Sequence, residues 1–373
     1  MDMIKVEKVV TRKNLREFIR FPWEVYRGDP NWVPPLIADM KEKLDPARNP
    51  FLEHAEMELF LARRGGRVEG RIAAILDRDH NSFQNETTSF FGLYESFDDP
   101  EVAAALLDTA GAWGKARGMT VLRGPMNLSM NDECAFLLEG FDSPPVLMMP
   151  YNPPYYLDLM AKAGLTKAKD LYAFIMSRDH DTALKVAAVV ERAKKVLPAV
   201  LRTVDVKNAA AEAEKIAYIY NNGWKKNWGF VPWTPNEMKH MVGKLRTMAD
   251  PDLVVFAEIE GKPVGFAFGL PNYNEVLRKM NGRLFPVGWL IFLLNKKRIK
   301  SMRALVFGVV KDYYHTGLSY LLYSEFERNA IRKGYQWGEL SWQLEDNDAV
   351  NHFAASIGAK IYKKYRIYQK PIA

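Results

Sequence analysis

The chain has 373 residues, 48% of them hydrophobic and 26% charged, and a net charge of +7. That length exceeds what one core usually serves, so two domains are expected. Cys134 is the only cysteine, which excludes an intramolecular disulfide and a Cys-based zinc site and fits a reducing cytoplasm.

The chain opens on an apolar alternation, Ile4–Val10, and a helix is predicted over Arg12–Tyr26 with Thr11 as its cap. The prolines of Arg27–Leu36 fix a rigid turn, and a short helix follows at Ala38–Leu44. Strands over Glu58–Arg64 and Arg67–Leu76 flank a hairpin signal at Gly65 and Gly66. Thr88–Ser96 is a third strand. Pro100–Arg117 is a helix, capped by Asp99 and stopped by Gly118. Met119–Gly124 is a strand, Asn152–Ala163 a helix ended by Gly164, and Asp170–Ser177 a closing strand.

A helix at Thr182–Val196 and a strand at Val200–Val206 lead into the second half. There Ala209–Tyr220 is a helix, and Leu253–Ile259 and Pro263–Gly269 form a second hairpin. Ala304–Val310 is a strand, Gly317–Lys333 a helix stopped by Gly334, Gln336–Leu344 a strand, Asp346–Ser356 a helix and Ala359–Gln369 the closing strand. Both halves thus run helix, hairpin, strand, helix, strand, helix, strand: a duplication of pattern, not of residues. The expected domains are 1–178 and 179–373. The second half adds an insertion, Pro271–Arg303.

Ala304–Lys333 carries the clearest functional signal. Its apolar, valine-rich strand suits burial on both faces, and Leu318, Leu321, Leu322 and Phe326 give its helix one buried face. A helix beginning at Gly317 offers unpaired N–H groups and a positive dipole end, which suits an anion such as phosphate. A glycine kept only for tight strand–helix packing is the competing reading. The first half has Asp98 and Asp99 at the matching place, which repel phosphate.

This order of elements, with its signature before the long helix, resembles the GCN5-related N-acetyltransferase (GNAT) superfamily, here in tandem over nearly the whole chain. The family's pyrophosphate loop, R/Q-x-x-G-x-G/A, is matched by Tyr314, His315, Thr316, Gly317, Leu318 and Ser319, of which only the central glycine is kept. Asn347 and Gly358 also sit at the family spacing. Ala354 stands where the family often has a tyrosine acid, and His352 and Tyr313 are substitutes outside that position. The resemblance implies two tandem α/β (α+β) domains, each a mixed central sheet flanked by helices. It implies acetyl-CoA or longer acyl-CoA bound by the second half, the pantetheine beside Val309 and Val310 and the pyrophosphate on the N–H groups of Thr316 to Ser319. The first half, without cofactor, helps shape the acceptor site.

Gly124–Pro145 concentrates polar residues after a predicted strand: Asn127, Ser129, Asn131, Asp132, Glu133 and Asp142. Amine acylation needs a base and donors for a carbonyl oxygen. Asp132 or Glu133 suits the base, and Asn127 or Asn131 suits substrate orientation; a turn-rich structural loop is the competing reading. Met148–Tyr156 and the tryptophan-rich Asn221–Glu237 offer apolar walls, or simply anchored loops. Asn272 and Asn274 are expected to point at the cleft.

In the insertion, Leu284–Leu294 is apolar, too short to cross a bilayer, and followed by the basic cluster Lys296–Arg303. That pattern suits a segment lying in a membrane interface, or a buried hairpin with solvated charges beside it. Met1–Lys13 is charged without an apolar core, so no signal peptide is expected. The histidines show no ligand spacing and no nucleic-acid motif occurs, so neither a metal nor nucleic acid is an expected partner. The expectation is therefore a cytoplasmic acyl-CoA-dependent N-acyltransferase, peripheral at the inner membrane surface. Its acceptor is a primary amine, small or lipid-like as in a sphingoid base. Backbone N–H near Val310 polarises the carbonyl, and Asp132 or Glu133 takes the amine proton. A non-catalytic acyl-CoA-binding or membrane-surface regulatory protein is the alternative.

Overall fold

The computed structural model describes residues 2–176, 180–223 and 227–372. The expected boundary at 178, the strand end at Ser177 and Trp224 of the aromatic segment lie outside these. The chain forms two compact units. The first holds Met1–Leu171, Asn274–Leu294 and Lys363–Ala373, and the second Tyr172–Tyr273 and Asn295–Tyr362. Much of the insertion and most of the closing strand thus join the first unit rather than the second half. Hydrogen bonding explains both. Tyr368–Pro371 pair antiparallel with Val121–Gly124, and Lys364–Arg366 with Phe136–Glu139. In the insertion, Asn274 Nδ2 donates to the Pro145 carbonyl at 2.9 Å, and Trp23 Nε1 donates to Asn281 Oδ1 at 2.8 Å.

In the first unit, Lys5–Lys8, Ala55–Arg64, Arg67–Asp77 and Thr88–Ser96 form successive antiparallel pairs. Gly65 and Gly66, at φ 56° and 83°, supply the two left-handed residues that a tight hairpin needs. Thr88–Ser96 then runs parallel to Val121–Gly124, a connection made by the helix Pro100–Lys115. That helix starts where Asp99 accepts from the N–H groups of Glu101 and Val102, at 2.9 and 3.2 Å. Its apolar face, Val102, Leu106, Leu107 and Ala110, is fully buried with Phe60, Ile72, Phe91 and Leu122. Each of these leucines contributes about 1.5–3 kcal/mol by burial.

In the second unit, Ala199–Thr203, Val254–Ile259, Lys262–Pro271 and Ser301–Val309 form antiparallel pairs in that order. Ser301–Val309 then pairs parallel with Trp337–Leu344. The helix Leu318–Lys333 makes that crossover. It buries Leu318, Leu321, Leu322 and Phe326 in a core shared with Val186, Val190 and Ala193 of the helix His180–Val196. Gly334, at φ 88°, ends it as a left-handed cap. No helix among the described residues is long and apolar enough to cross a membrane.

Candidate active site

In the second unit, two parallel strands come apart. Ser301–Val309 and Trp337–Leu344 pair from Ser301 with Trp337 to Ala304 with Leu340, and there the register ends. The strands continue to Val309 and Leu344 without pairing to each other. Leu305 to Gly308 and Trp342 to Gln343 are accordingly only half-buried in an otherwise buried sheet. A V-shaped gap lined by unpaired main-chain groups can receive an extended, amide-bearing ligand.

At the open side lies the glycine loop. Gly317 sits at φ 91° and begins the helix Leu318–Lys333 with no side-chain cap. A Cβ there would lie 2.9 Å from Ala193 Cβ. Thr316 turns its hydroxyl back to the Tyr313 carbonyl at 2.7 Å, and only a long contact of 3.4 Å joins it to Leu318 N–H. The N–H groups of His315, Gly317 and Ser319 have no acceptor among the described residues. Three free donors at a helix N-terminus form an anion cradle. The first unit shows the converse: Asp99 fills the equivalent donors with its own carboxylate and pairs with Arg64 at 2.6 Å.

At the closed end of the V lies a buried polar network that the sequence reading missed. Glu339 is fully buried and accepts from Ser341 Oγ and from the Tyr362 hydroxyl. Arg303 stands opposite Glu339 in the parallel register, 3% exposed, and donates from Nε to Ser341 Oγ at 3.0 Å. Burying a carboxylate this deeply costs free energy unless donors and a counter-charge surround it, and here both are present. Two opposite charges at matching offsets in two buried strands were the available signal.

The other expected residues fall as follows. Val309 is buried, and Val310 donates its N–H to the Val264 carbonyl at 2.8 Å, so that N–H is not free to polarise a thioester. Tyr314 and His315 are exposed. Asn347 caps the helix Asp348–Ser356, and Ala354 on that helix is fully buried. His352 is exposed and Tyr313 half-buried.

In the first unit, Asn127, Asn131, Asp132 and Glu133 do come together, on a loop closed by the pairing of Met126–Asn127 with Glu133–Cys134. Asn127 is spent structurally: its Oδ1 accepts from Leu93 N–H at 2.7 Å. Lys43 donates to the Asn127 carbonyl at 2.7 Å and lies 3.7 Å from Asp132 Oδ1. Burial opposes the Lys43 charge, but Asp132 and Glu133 outweigh it and raise its pKa above the usual lysine value. The tyrosines of Met148–Tyr156 serve the first unit's interior rather than a substrate wall. Tyr151 donates to Asp29, Tyr155 to the Ser96 carbonyl and Tyr156 to Glu95. Trp233 stacks on Tyr220 at 5.2 Å, as an anchored loop does. Asn272 and Asn274 do not point into an open cleft: both are buried, bonded to Ser301 Oγ and to the Pro145 carbonyl.

The second unit thus sets a parted parallel strand pair beside an uncapped glycine loop, while the first unit's equivalent helix start is capped by Asp99. A tandem GNAT protein from the clavulanic acid pathway has a similar fold, with a TM-score of 0.58 over 100% of this chain and 99% of that one, at 12% identity. A GCN5-related N-acetyltransferase from Sphaerobacter thermophilus superposes with a TM-score of 0.54 over 99% and 96%, at 14% identity. No family model matches the sequence. Two curated relatives do: protein YghO of Escherichia coli, 36% identical over 98% of this chain and 95% of its own, and the bacterial ceramide synthase of Caulobacter vibrioides, 36% identical over 99% and 98%. The chain has the tandem GNAT fold and belongs to the family that contains these two proteins.

Proposed function

We propose that this enzyme moves a long acyl chain from coenzyme A to the primary amine of a lipid-like acceptor of the sphingoid type. The observation that carries the reading is the parting of Ser301–Val309 from Trp337–Leu344 beside the free N–H groups at Gly317. The gap suits the pantetheine arm, whose amides seek unpaired main-chain partners. The cradle of the His315, Gly317 and Ser319 N–H groups suits the pyrophosphate through backbone donors, so the loss of the family's side chain at Tyr314 matters little. The ceramide synthase relative supports the acceptor: a ceramide is the amide of a fatty acid and a long-chain amino alcohol.

In the reaction the amine nitrogen attacks the thioester carbonyl carbon. The carbon–sulfur bond breaks, the thiolate leaves and takes up a proton, and the amine gives one up. Tyr362, whose hydroxyl donates to Glu339, is placed to accept that proton on oxygen while passing its own to the carboxylate. Glu339 is then a positioning residue that holds the Tyr362 and Ser341 hydroxyls at the closed end of the gap. A lipid-like amine presents itself only at an interface, so this reading carries contact with a bilayer with it.

Thermal shift with free CoA, acetyl-CoA and palmitoyl-CoA tests the donor, and release of free thiol with sphinganine and with short alkylamines tests the acceptor. The expected result is the largest shift with palmitoyl-CoA and thiol release that rises with amine chain length. No shift with any of the three removes the donor assignment; release only with short amines removes the lipid one.

A further inference from the structure

Leu284–Leu294 is not a buried hairpin. Phe285 is 72% exposed, Leu294 64%, Val287 58% and Leu293 49%, and Trp289 and Leu290 beside them are also exposed. So much contiguous exposed apolar surface on one short segment calls for a partner. The segment is built rather than loose. Its helix, Gly288–Asn295, begins where Trp289 N–H donates to the Leu284 carbonyl at 2.7 Å. A Cβ on Gly288 would lie 1.9 Å from the Arg283 carbonyl oxygen, so the turn is folded tightly on itself. Its base is fixed to the first unit by Asn281 on Trp23 and by the Gly282 carbonyl on Ile37 N–H at 3.0 Å. The one side-chain donor on the segment, Trp289 Nε1, is already satisfied by the Pro286 carbonyl at 2.8 Å. The segment can therefore enter an apolar phase without stranding a side-chain donor.

The charge around it is one-sided. Residues 276–311 contain nine Lys or Arg and no Asp or Glu, while the whole chain carries +7, so everything outside this segment is net −2. Lys279 and Arg283 precede the apolar stretch, and it runs directly into the turn Lys296–Arg298; all five cations are exposed. We infer that Leu284–Leu294 is a preformed wedge that seats the enzyme in the surface of an anionic bilayer, with these cations on the headgroups. A second copy of the chain fits less well, because patch-on-patch pairing would bring two cationic rims together. The inference rests on the lipid-acceptor reading for its purpose only. The surface exists whatever the acceptor.

The test is sedimentation with vesicles of phosphatidylcholine alone or with one part in five phosphatidylglycerol, at low and high salt. The wild-type chain is expected to pellet with the anionic vesicles, about ten-fold less with the neutral ones, and less at high salt. Phe285→Glu with Leu294→Glu should abolish pelleting, and Lys297→Glu with Arg298→Glu should remove the anionic preference. These side chains are exposed, so the melting temperature should not move, and acyl transfer to a short soluble amine should be unchanged in both variants. The proposal is overturned if the wild type stays in the supernatant or if both variants pellet like it. It is equally overturned if light scattering shows a dimer that the apolar variant splits while vesicles fail to bind. Vesicle binding without any acyl-CoA binding would leave the wedge standing and remove the function proposed above.

Discussion

Arg303 and Glu339 face each other across the parallel pairing of Ser301–Val309 with Trp337–Leu344 and meet through a third residue, Ser341. The arrangement places a fixed cation, a hydroxyl and a carboxylate in line at the point where the strands begin to part. Tyr362 completes it from the other carboxylate oxygen.

Glu339→Gln keeps the shape but replaces the acceptor of the Tyr362 proton. It is expected to lower kcat about 100-fold, the usual size of a general-base effect, and to leave KM for acyl-CoA within about two-fold. Tyr362→Phe should match it, since it removes the hydroxyl that Glu339 accepts from. Glu339→Ala instead leaves Ser341 and Arg303 facing a hole and should cost about 3–5 kcal/mol in urea unfolding. A kcat unchanged in the Gln variant would reduce Glu339 to a purely structural role.

Gly317 should be intolerant of any side chain. Its φ of 91° strains an L residue, and a new Cβ would crowd Ala193. Gly317→Ala is expected to cost about 1–2 kcal/mol of stability and to weaken acyl-CoA binding at least ten-fold by calorimetry. Ala193→Gly in the same chain relieves the crowding and returns part of the stability, but the cradle stays distorted and binding stays weak. Gly317→Pro removes a cradle N–H outright and should abolish binding. Tyr314→Phe should change affinity little, because the cradle uses main-chain donors. A ten-fold loss in that variant would show that the phenol contacts the cofactor.

Much of the architecture is legible in the sequence because its punctuation is chemical. Thr88–Ser96 has the same bounds in sequence and structure, and Asp99, Gly118, Gly164 and Gly334 each act as the cap or stop their residue type predicts. The helix Gly288–Asn295 escapes because it is apolar all round and shows no period. Glu339 hides in WGELSWQL, which reads as an ordinary strand; only its partner at the same offset in the next strand gives it meaning. The assignment of Lys363–Ala373 to the first unit is illegible for a different reason. Tyr368 pairs with Gly124, and pairing at that sequence distance leaves no local signature.

Glu86 gives the first unit a pH dependence. Its hydrogen bond from His80, then those from Arg123 and Thr88, outweigh partial burial and hold its carboxyl down to about 2. A carboxylate with a depressed folded pKa stabilises above its unfolded value of 4.5, and that contribution is lost as pH falls toward 2. Glu86→Gln should therefore cost about 1–2 kcal/mol at pH 7, after discounting for solvent screening, and progressively less below pH 4. Melting temperatures of the two proteins at pH 7, 4 and 3 measure it, and a constant gap would refute the linkage.

The carboxylates of the first unit pose the sharpest functional question, because two candidates for the amine proton now stand in different units. Asp132 lies against Lys43, which also holds the Asn127 carbonyl, so the loop Asn127–Glu133 is pinned at its centre by one ammonium. Lys43→Met removes the pin. Amide exchange in residues 127–133 should speed about ten-fold or more, while the helix Pro100–Lys115 stays protected. The ion pair of Lys43 is with Asp132, while Glu133 acts on the lysine by its charge. If the first-unit loop supplies the base, Glu133→Gln or Asp132→Asn lowers kcat about 100-fold and Glu339→Gln leaves it within a factor of about three. If the network in the second unit does, the order is reversed, and that reversal is the expected outcome. Glu339 is held by two hydroxyl donors at a gap that suits the pantetheine, whereas the Asp132 charge is already offset by a lysine whose own pKa it helps to raise. Steady-state thiol release from the three variants, run with the same amine, decides between them.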